Sequence, residues 1–140
     1  MFDLTGKAAF VTGASRGIGR SVAVSLAQAG ADVALIGRDT AALEETLAAV
    51  KATGRRALAL KTDVTSADSI GAAVDQTVKA YGKIDTLVCN AGVQKLKPFL
   101  DMKPEDWRGL ISTNLEGAIM TDRKSTRLNS SHVALSRMPS

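Results

Sequence analysis

The chain has 140 residues and a formal net charge of +4, a length that corresponds to about one domain with its own core. Residues 1–121 hold 14 Lys and Arg side chains against 13 Asp and Glu, and residues 122–140 hold 4 against 1, so the nearly neutral body argues against nucleic acid as a partner. One cysteine, no apolar run of about 20 residues and no signal-like start predict a cytoplasmic protein without disulfides or a membrane span.

Four short apolar runs predict four β-strands. They begin at Ala8, Val33, Ala57 and Leu87, and none of them alternates with polar residues. Uninterrupted apolar runs are typical of strands that are covered on both faces in a parallel sheet.

Helical patterns separate the four runs, and each of the first three helices is predicted to have one apolar face. Glycines at positions 30, 54 and 82 lie where helix C-terminal glycines belong, and Thr65 with Asp68 resembles a capping box. A fourth helix is predicted from Pro104 to about Met120. The apolar faces consist of Ile18, Val22 and Leu26, then Leu43, Leu47 and Val50, then Ile70, Val74 and Val78.

This alternation of strands and helices predicts the fold class. A strand–helix repeat at this spacing is typical of an α/β, Rossmann-type doubly wound parallel sheet, here truncated after about four strands with order 3-2-1-4. Residues 1–121 are interpreted as a partial dinucleotide-binding domain.

The segment Thr12–Gly19 joins the first predicted strand to the first helix. Its glycines at 13, 17 and 19 allow a sharp turn, a close approach to a pyrophosphate and tight packing of the helix on the sheet. The amides of the first helical turn would then face the phosphates. The alternative is that these are ordinary turn glycines and that Ser15 is only a capping hydroxyl.

Three further motifs follow the glycine segment in order: Asp63-Val64, Asn90-Ala91-Gly92 and Asn114. Together with the glycine spacing, they make residues 1–121 resemble the amino-terminal part of the short-chain dehydrogenases/reductases. The opening segment, residues 2–7, resembles family members that act on sugar acids, with 3-oxoacyl-carrier-protein reductases close to them. No metal site is predicted.

The resemblance implies roles for most of these residues. Asp63 would contact the adenine amino group while Val64 packs on the ring, although a turn residue is the simpler reading of a lone Asp. Asn114 would hold a water in a proton relay to a catalytic Lys, the alternative being a hydrogen-bonded core Asn. Trp107 and Cys89 are interpreted as core residues. The residues predicted to bind the cofactor are Gly13, Ser15, Arg16, Gly17, Ile18, Gly19, Arg38, Asp63, Val64, Asn90, Ala91 and Gly92.

Arg38 indicates which dinucleotide is bound. About twenty residues beyond the glycine segment, NAD enzymes carry an acidic residue that accepts from the ribose 2′-hydroxyl. This chain has Arg38 there, with Arg16 in the glycine segment, so NADP(H) is expected to be preferred and NAD(H) stays possible. Alternatively Arg38 only solvates a strand end, and Asp39 contacts a ribose.

The catalytic residues that the resemblance implies are nearly all missing. Family chemistry uses a Ser and a Tyr-x-x-x-Lys motif, whereas Tyr81 is the only Tyr and position 85 is Asp. We therefore expect an incomplete part of a homo-oligomeric (dimeric or tetrameric) enzyme that transfers hydride between NADP(H) and a small-molecule carbonyl or alcohol. The chain itself is expected to show no turnover and weak or absent cofactor binding. A non-catalytic dinucleotide-binding regulatory domain and a nucleotide-sugar epimerase are the alternatives.

Residues 122–140 differ in character from the body. They are rich in Ser and Arg and lack apolar periodicity, which is typical of a disordered basic tail. Written as codons, however, Asp122–His132 corresponds to one reading frame of a common sequencing-library adapter, and Ser136–Ser140 continues it in the same frame. The hypothesis is that residues 122–140 are a non-native or disordered tail.

Overall fold

A computed structural model describes residues 2–133 of the chain and, within them, one sheet of four parallel strands. The strand order is β3-β2-β1-β4, which confirms the predicted order and fold class. Strand β4 lies at one edge and pairs only with β1. The strands are β1 (Ala8–Thr12), β2 (Asp32–Gly37), β3 (Ala57–Lys61) and β4 (Thr86–Val88).

Five α-helices follow the strands in the described part of the chain. A 3-10 turn (Phe99–Asp101) precedes α4, and a π-helical segment (Ser112–Glu116) joins α4 to α5 without a break. The predicted start of the fourth helix at Pro104 is confirmed. The helices are α1 (Gly17–Gln28), α2 (Thr40–Lys51), α3 (Ala67–Tyr81), α4 (Pro104–Ile111) and α5 (Gly117–Val133).

Helix α5 extends into the segment that sequence reasoning assigned to the tail. It continues past residue 122 to Val133, so residues 122–133 are helical rather than disordered. The lack of apolar periodicity there does not prevent a helix that begins upstream from continuing. The domain boundary at residue 121 and the non-native origin of residues 122–140 stay predictions, and residues 134–140 lie outside the described part of the chain.

Helices cover both faces of the sheet, which gives two apolar clusters. On one face Val11 and Leu35 of the strands pack with small residues of α1 and with Leu43 of α2. On the other face Phe10 and Ile36 pack with α3. Burial on both faces explains why the strands read as continuous apolar runs. None of the helices within residues 2–133 has the length and apolar character needed to cross a bilayer.

The buried faces of α1 and α2 differ from those predicted. Helix α1 buries Gly19, Ala23 and Ala27, whereas Ile18 is 75% exposed. Small side chains on this face let the helix axis approach the sheet closely, and the larger residues are left on the flank. Helix α2 buries Thr46 between its apolar residues Leu43 and Val50, and Leu47 is only half-buried. The α3 face is buried as predicted.

The predicted helix ends are close to those observed. The glycines at 30, 54 and 82 all have positive φ, as expected of residues that follow a helix. The capping residue of α3 is Ser66, whose hydroxyl accepts from the Ser69 amide at 3.2 Å, rather than Thr65. Thr65 instead donates to Asp63, which has consequences for the site described below.

Two residues that were expected in the core lie at the surface. Trp107 is 44% exposed, and the Arg108 guanidinium lies over its ring at 5.2 Å from the ring centre. Leu115 on the same helical face is 57% exposed. Cys89 is exposed, and its thiol donates to the Ala118 carbonyl at 3.8 Å. Cys89 directly follows β4, an edge strand that pairs with one neighbouring strand, β1, in the described part of the chain. Although the residue is exposed, partial desolvation of the sulfur and, to a smaller extent, the negative charge of Asp122 raise the pKa of the Cys89 thiol.

Candidate functional site

A cleft of about 580 Å³ lies at the carboxyl ends of the four strands. In a parallel sheet of this order, ligands bind at this edge, where the strand order reverses beside β1. Ten of the twelve predicted cofactor residues line the cleft, and the other two are Gly17 and Gly19. The lining also includes Gly37, Asp39, Thr62, Thr65, Val93 and Thr113, which sequence reasoning did not list as site residues.

Glycine is needed at positions 13, 17 and 19 of the β1–α1 connection, and the structural reason differs between Gly17 and the other two. A Cβ on Gly13 would lie 2.8 Å from the Ala91 Cα, and a Cβ on Gly19 would lie 2.0 Å from the Gly13 carbonyl oxygen. Gly17 has open space around it but a φ of +57°, which L side chains rarely adopt. The loop therefore combines two close backbone approaches with one left-handed turn.

Hydrogen bonds join the end of β1 to the end of β4. The Thr12 hydroxyl accepts from the Asn90 and Ala91 amides, both at 3.0 Å, and the Asn90 side-chain amide donates to the Gly13 carbonyl at 3.2 Å. The Asn90 side chain thus joins the ends of two neighbouring strands. Thr12 was missed, although a polar residue ending an apolar strand is a signal for such a role because its buried hydroxyl needs a partner.

The amino end of α1 points toward the cleft. Arg16 precedes the helix with extended backbone, and the first amide to find a helical acceptor is that of Arg20, which donates to the Arg16 carbonyl at 3.3 Å. The first-turn amides before it have no acceptor within the helix. No acidic side chain lies in that turn. A helix end of this kind favours an anion.

Two arginines and one carboxylate line the β2 side of the cleft. The Arg16 guanidinium lies 3.0 Å from Asp39 Oδ2, with the two side chains 73% and 46% exposed. Asp39 Oδ1 accepts from the Ala42 amide at 3.1 Å and so caps α2. Arg38 is exposed beside them. Both oxygens of the Asp39 carboxylate are therefore already engaged by the protein.

Asp63 follows β3 in a tight turn. Its Oδ1 accepts from the Thr65 amide at 2.9 Å and the Thr65 hydroxyl at 2.7 Å. These bonds, with the positive charge of Arg38 as a smaller contribution, lower the pKa of Asp63, so it is a carboxylate at neutral pH. Val64 is buried beneath the turn, and α5 passes close to it because a Cβ on Gly117 would lie 3.0 Å from the Val64 carbonyl oxygen.

Asn114 lies in the π-helical segment and does not line the cleft. Its Oδ1 accepts from the Val93 amide at 2.8 Å and its Nδ2 donates to the Val93 carbonyl at 3.0 Å. The residue is exposed rather than within a buried apolar face. Its side chain fixes the backbone of the loop that follows Gly92, and it lies within a local distortion of the helix.

Tyr81 lies away from the cleft. Its hydroxyl donates to the Val33 carbonyl at 3.2 Å near the opposite end of the sheet, and the Arg56 guanidinium lies 5.0 Å from its ring. Burial raises the pKa of Tyr81 to about 12. Asp85, four residues later, accepts from the Ala8 amide at 2.9 Å. Both residues therefore stabilise the fold and do not face the cleft.

The residues around the cleft suit a nicotinamide dinucleotide. Close backbone approach at Gly13 and Gly19, unpaired first-turn amides and two guanidiniums are the features that diphosphate and phosphate groups require. Within residues 2–133, no three His, Cys, Asp or Glu side chains come together as a metal site would need.

Comparison with known proteins agrees with this geometry. The family model for short chain dehydrogenase matches residues 7–131. The 3-oxoacyl-[acyl-carrier-protein] reductase of Staphylococcus aureus is 38% identical over 121 residues, which are 86% of this chain and 49% of that protein. The gluconate 5-dehydrogenase of Gluconobacter oxydans is 37% identical over 127 residues, or 91% of this chain and 50% of that protein.

Among solved structures, a short-chain type dehydrogenase/reductase from Mycobacterium marinum superposes with a TM-score of 0.88 and 40% identity. The match covers 90% of this chain and 51% of that one. The chain therefore spans about half the length of the relatives that it matches.

Proposed function

The chain belongs to the short-chain dehydrogenase family, and from that premise we propose that it is the cofactor-binding part of an NADP(H)-dependent oxidoreductase. The observation that carries the proposal is the cleft, where a glycine loop, a helix amino end and two arginines meet at the carboxyl ends of parallel strands. When bound, the cofactor supplies a hydride donor or acceptor for a carbonyl or alcohol carbon.

In this proposal each side of the cleft binds a different part of the cofactor. The Gly13–Gly19 loop binds the diphosphate through its amides. Asp63, held as a carboxylate by Thr65, accepts from the adenine amino group while Val64 supports the ring. Asn90, Ala91 and Gly92 form the wall beside the nicotinamide ribose, where small side chains permit close approach.

The preference for NADP(H) over NAD(H) follows from the charges on the β2 side. A 2′-phosphate would meet the guanidiniums of Arg38 and Arg16, each charge-assisted hydrogen bond contributing about 1.5–3 kcal/mol. One carboxylate, Asp39, opposes it, but its oxygens accept from Arg16 and the Ala42 amide. Even one net bond corresponds to at least about tenfold in affinity.

The substrate is proposed to be a small carbonyl or alcohol compound of the sugar-acid or 3-oxoacyl type. The opening residues 2–7 and the names of the two relatives above support these classes. Asn114 is the one catalytic candidate, and we propose that it takes part in the proton relay by fixing the Val93 backbone. The complete enzyme is proposed to be a cytoplasmic homo-oligomer, and the 140-residue chain is proposed to be inactive.

A non-catalytic dinucleotide-binding regulatory domain is the second candidate. Such a domain would use the glycine loop and the cleft but would need no catalytic Tyr. Turnover by the complete gene product separates the two candidates, because a regulatory domain would bind NADPH without oxidising it in the presence of any carbonyl substrate. Turnover by the 140-residue chain itself, above a buffer control, would contradict the proposed inactivity.

Cofactor selectivity tests the proposal. We expect the complete gene product to bind NADP⁺ at least about tenfold more tightly than NAD⁺ in calorimetric titration at low salt, where charge-assisted bonds are least screened. Arg38→Ala should remove most of this preference. Arg108→Ala is the matched control, because Arg108 is also an arginine but lies on α4, outside the residues that line the cleft. Equal affinities in the unaltered gene product, or unchanged selectivity in Arg38→Ala, would contradict the proposal.

A further inference from the structure

Two polar side chains lie beneath the glycine loop without lining the cleft. Arg20 belongs to α1 and Thr46 to α2, and both contact backbone carbonyls of the β1–α1 loop. Thr46 is completely buried, although it lies on the core face of an amphipathic helix where an apolar residue would be expected. A buried hydroxyl on that face requires partners, and its partners are in the loop.

The Thr46 hydroxyl makes one donor bond and one acceptor bond in this position. Its single proton goes to the nearest carbonyl, that of Ala14 at 2.9 Å, while those of Ala42 and Ser15 lie at 3.3 and 3.4 Å. In return it accepts from Arg20 Nε at 2.9 Å. Thr46 therefore links the loop to α2 and orients the Arg20 side chain.

Arg20 holds the next carbonyl of the loop. Its Nη2 donates to the Ser15 carbonyl at 2.6 Å and also reaches Ala42 O at 3.3 Å and Glu45 Oε2 at 3.0 Å. The guanidinium is one-third exposed, whereas Glu45 is 70% exposed, so the bond to the loop is better shielded from solvent than the ion pair. Arg20 and Thr46 thus bind two successive carbonyls from the same side.

Binding these carbonyls also fixes the amides. In a planar trans peptide the C=O and N–H bonds point in opposite directions. With Ala14 O and Ser15 O held toward α2, the Ser15 and Arg16 amides face away from α2. The Ala14 amide is bonded to Ile36 O at 3.1 Å. A hydrogen bond therefore holds each of the three successive peptide groups that end at Ala14, Ser15 and Arg16.

We propose that Arg20 and Thr46 are positioning residues that hold the loop with its amides directed at the bound diphosphate. This inference rests on the proposed function for the ligand, but the fixed loop conformation is a property of the chain alone. It predicts that the pair contributes to cofactor affinity without touching the cofactor.

Three threonine variants test the inference. Thr46→Val keeps the shape and leaves Ala14 O without its donor, whereas Thr46→Ser restores the hydroxyl. Thr77→Val is the matched control: Thr77 is equally buried on α3, and its hydroxyl donates only to the Ala73 carbonyl of its own helix, at 2.8 Å. Arg20→Met carries the same test through the other partner if Thr46→Val does not fold.

Two measurements are made on each variant. Hydrogen exchange of the Ala14 amide, which is bonded to Ile36 O, reports loop order in the chain without ligand and is the loop exchange meant below. Titration of the complete gene product carrying the same substitution with NADP⁺ reports affinity. We expect Thr46→Val and Arg20→Met to accelerate loop exchange and weaken NADP⁺ binding at least about fivefold, the effect of one unsatisfied buried carbonyl. Thr46→Ser and Thr77→Val should behave as the unaltered chain.

The outcomes separate this inference from the proposed function. Unchanged loop exchange in Thr46→Val and Arg20→Met would overturn the inference, whatever the cofactor affinity. Equal loss of affinity in Thr77→Val would also overturn it, because the effect would then be one of general stability. If the unaltered complete gene product did not bind NADP⁺ while the loop exchanged as expected, the proposed function would fail and the loop-holding pair would stand.

Discussion

Adding one methyl group at Gly19 is predicted to displace the loop that binds the diphosphate. In Gly19→Ala the new Cβ would lie 2.0 Å from the Gly13 carbonyl oxygen and 2.5 Å from Asn90 Nδ2. Because ordinary contacts begin near 3.4 Å, the carbonyl has to retreat by roughly 1.4 Å. That movement breaks the 3.2 Å bond between Asn90 and Gly13, which joins β1 to β4.

The expected change in the free energy of unfolding differs among three glycine-to-alanine variants. We expect Gly19→Ala to lower the free energy of unfolding by about 2–3 kcal/mol, as overpacking at a rigid backbone contact does. Gly17→Ala should cost about 1 kcal/mol, since only its positive φ is unfavourable. Gly109→Ala should stabilise α4 by about 0.5–1 kcal/mol, because Gly109 has ordinary helical φ and open space around it.

Urea unfolding of the chain, and NADP⁺ titration of the complete gene product, check this prediction for the three substitutions. The expected order of stability is Gly109→Ala above the unaltered chain, then Gly17→Ala, then Gly19→Ala, with cofactor binding lost in the last. If Gly19→Ala were as stable as the unaltered chain and bound NADP⁺ equally well, the close approach of α1 to the Gly13 carbonyl would be wrong.

Burial alone would raise the pKa of Asp32, but hydrogen bonds from Arg56 and the nearby arginine charges lower it below 3.8. The stability that the Asp32 carboxylate contributes is therefore present above about pH 4 and is lost as the pH falls. Asp32→Asn should lower the free energy of unfolding by about 2 kcal/mol at pH 7 and make it depend less on pH in acid, as measured by urea unfolding. The buried Tyr81 phenol should stay neutral in the folded chain until about pH 12, so stability should decline from pH 10 upward, and an ultraviolet pH titration showing normal ionisation would contradict this. Asp106 binds Lys95 and Lys97, and Asp106→Asn should increase proteolysis of the segment before α4, with unchanged proteolysis arguing against that role. Trp107 fluorescence should be quenched readily by iodide, because the indole is 44% exposed.

The sheet and the glycine loop were predictable because each depends on local sequence. Four continuous apolar runs located the strands, and the short connections between parallel strands fixed their order. The loop was predictable because only glycine satisfies a positive φ at position 17 and the backbone contacts at positions 13 and 19.

The role of Thr46 and the choice of buried helix face depend on contacts between residues that are distant in the sequence, and hydrophobic periodicity does not reveal such contacts. Thr46 looks like an interruption of an apolar face, and only the fold shows that its hydroxyl bonds a loop 32 residues earlier. Periodicity also placed Ile18 and Trp107 in the core, since it identifies an apolar face but not what covers it. For α1, the small side chains of Ala23 and Ala27 decide which face meets the sheet.

The most direct test of the account maps where the dinucleotide binds. Titration of NADP⁺ into the isotope-labelled complete gene product, followed by amide NMR, should shift the resonances of residues 13–19, 38, 63–65 and 90–92 together, with one dissociation constant. Amides at the opposite end of the sheet, such as that of Tyr81, should not move. Shifts confined to other surfaces, or no response of the loop amides at millimolar NADP⁺, would contradict the claim that this cleft binds a dinucleotide diphosphate.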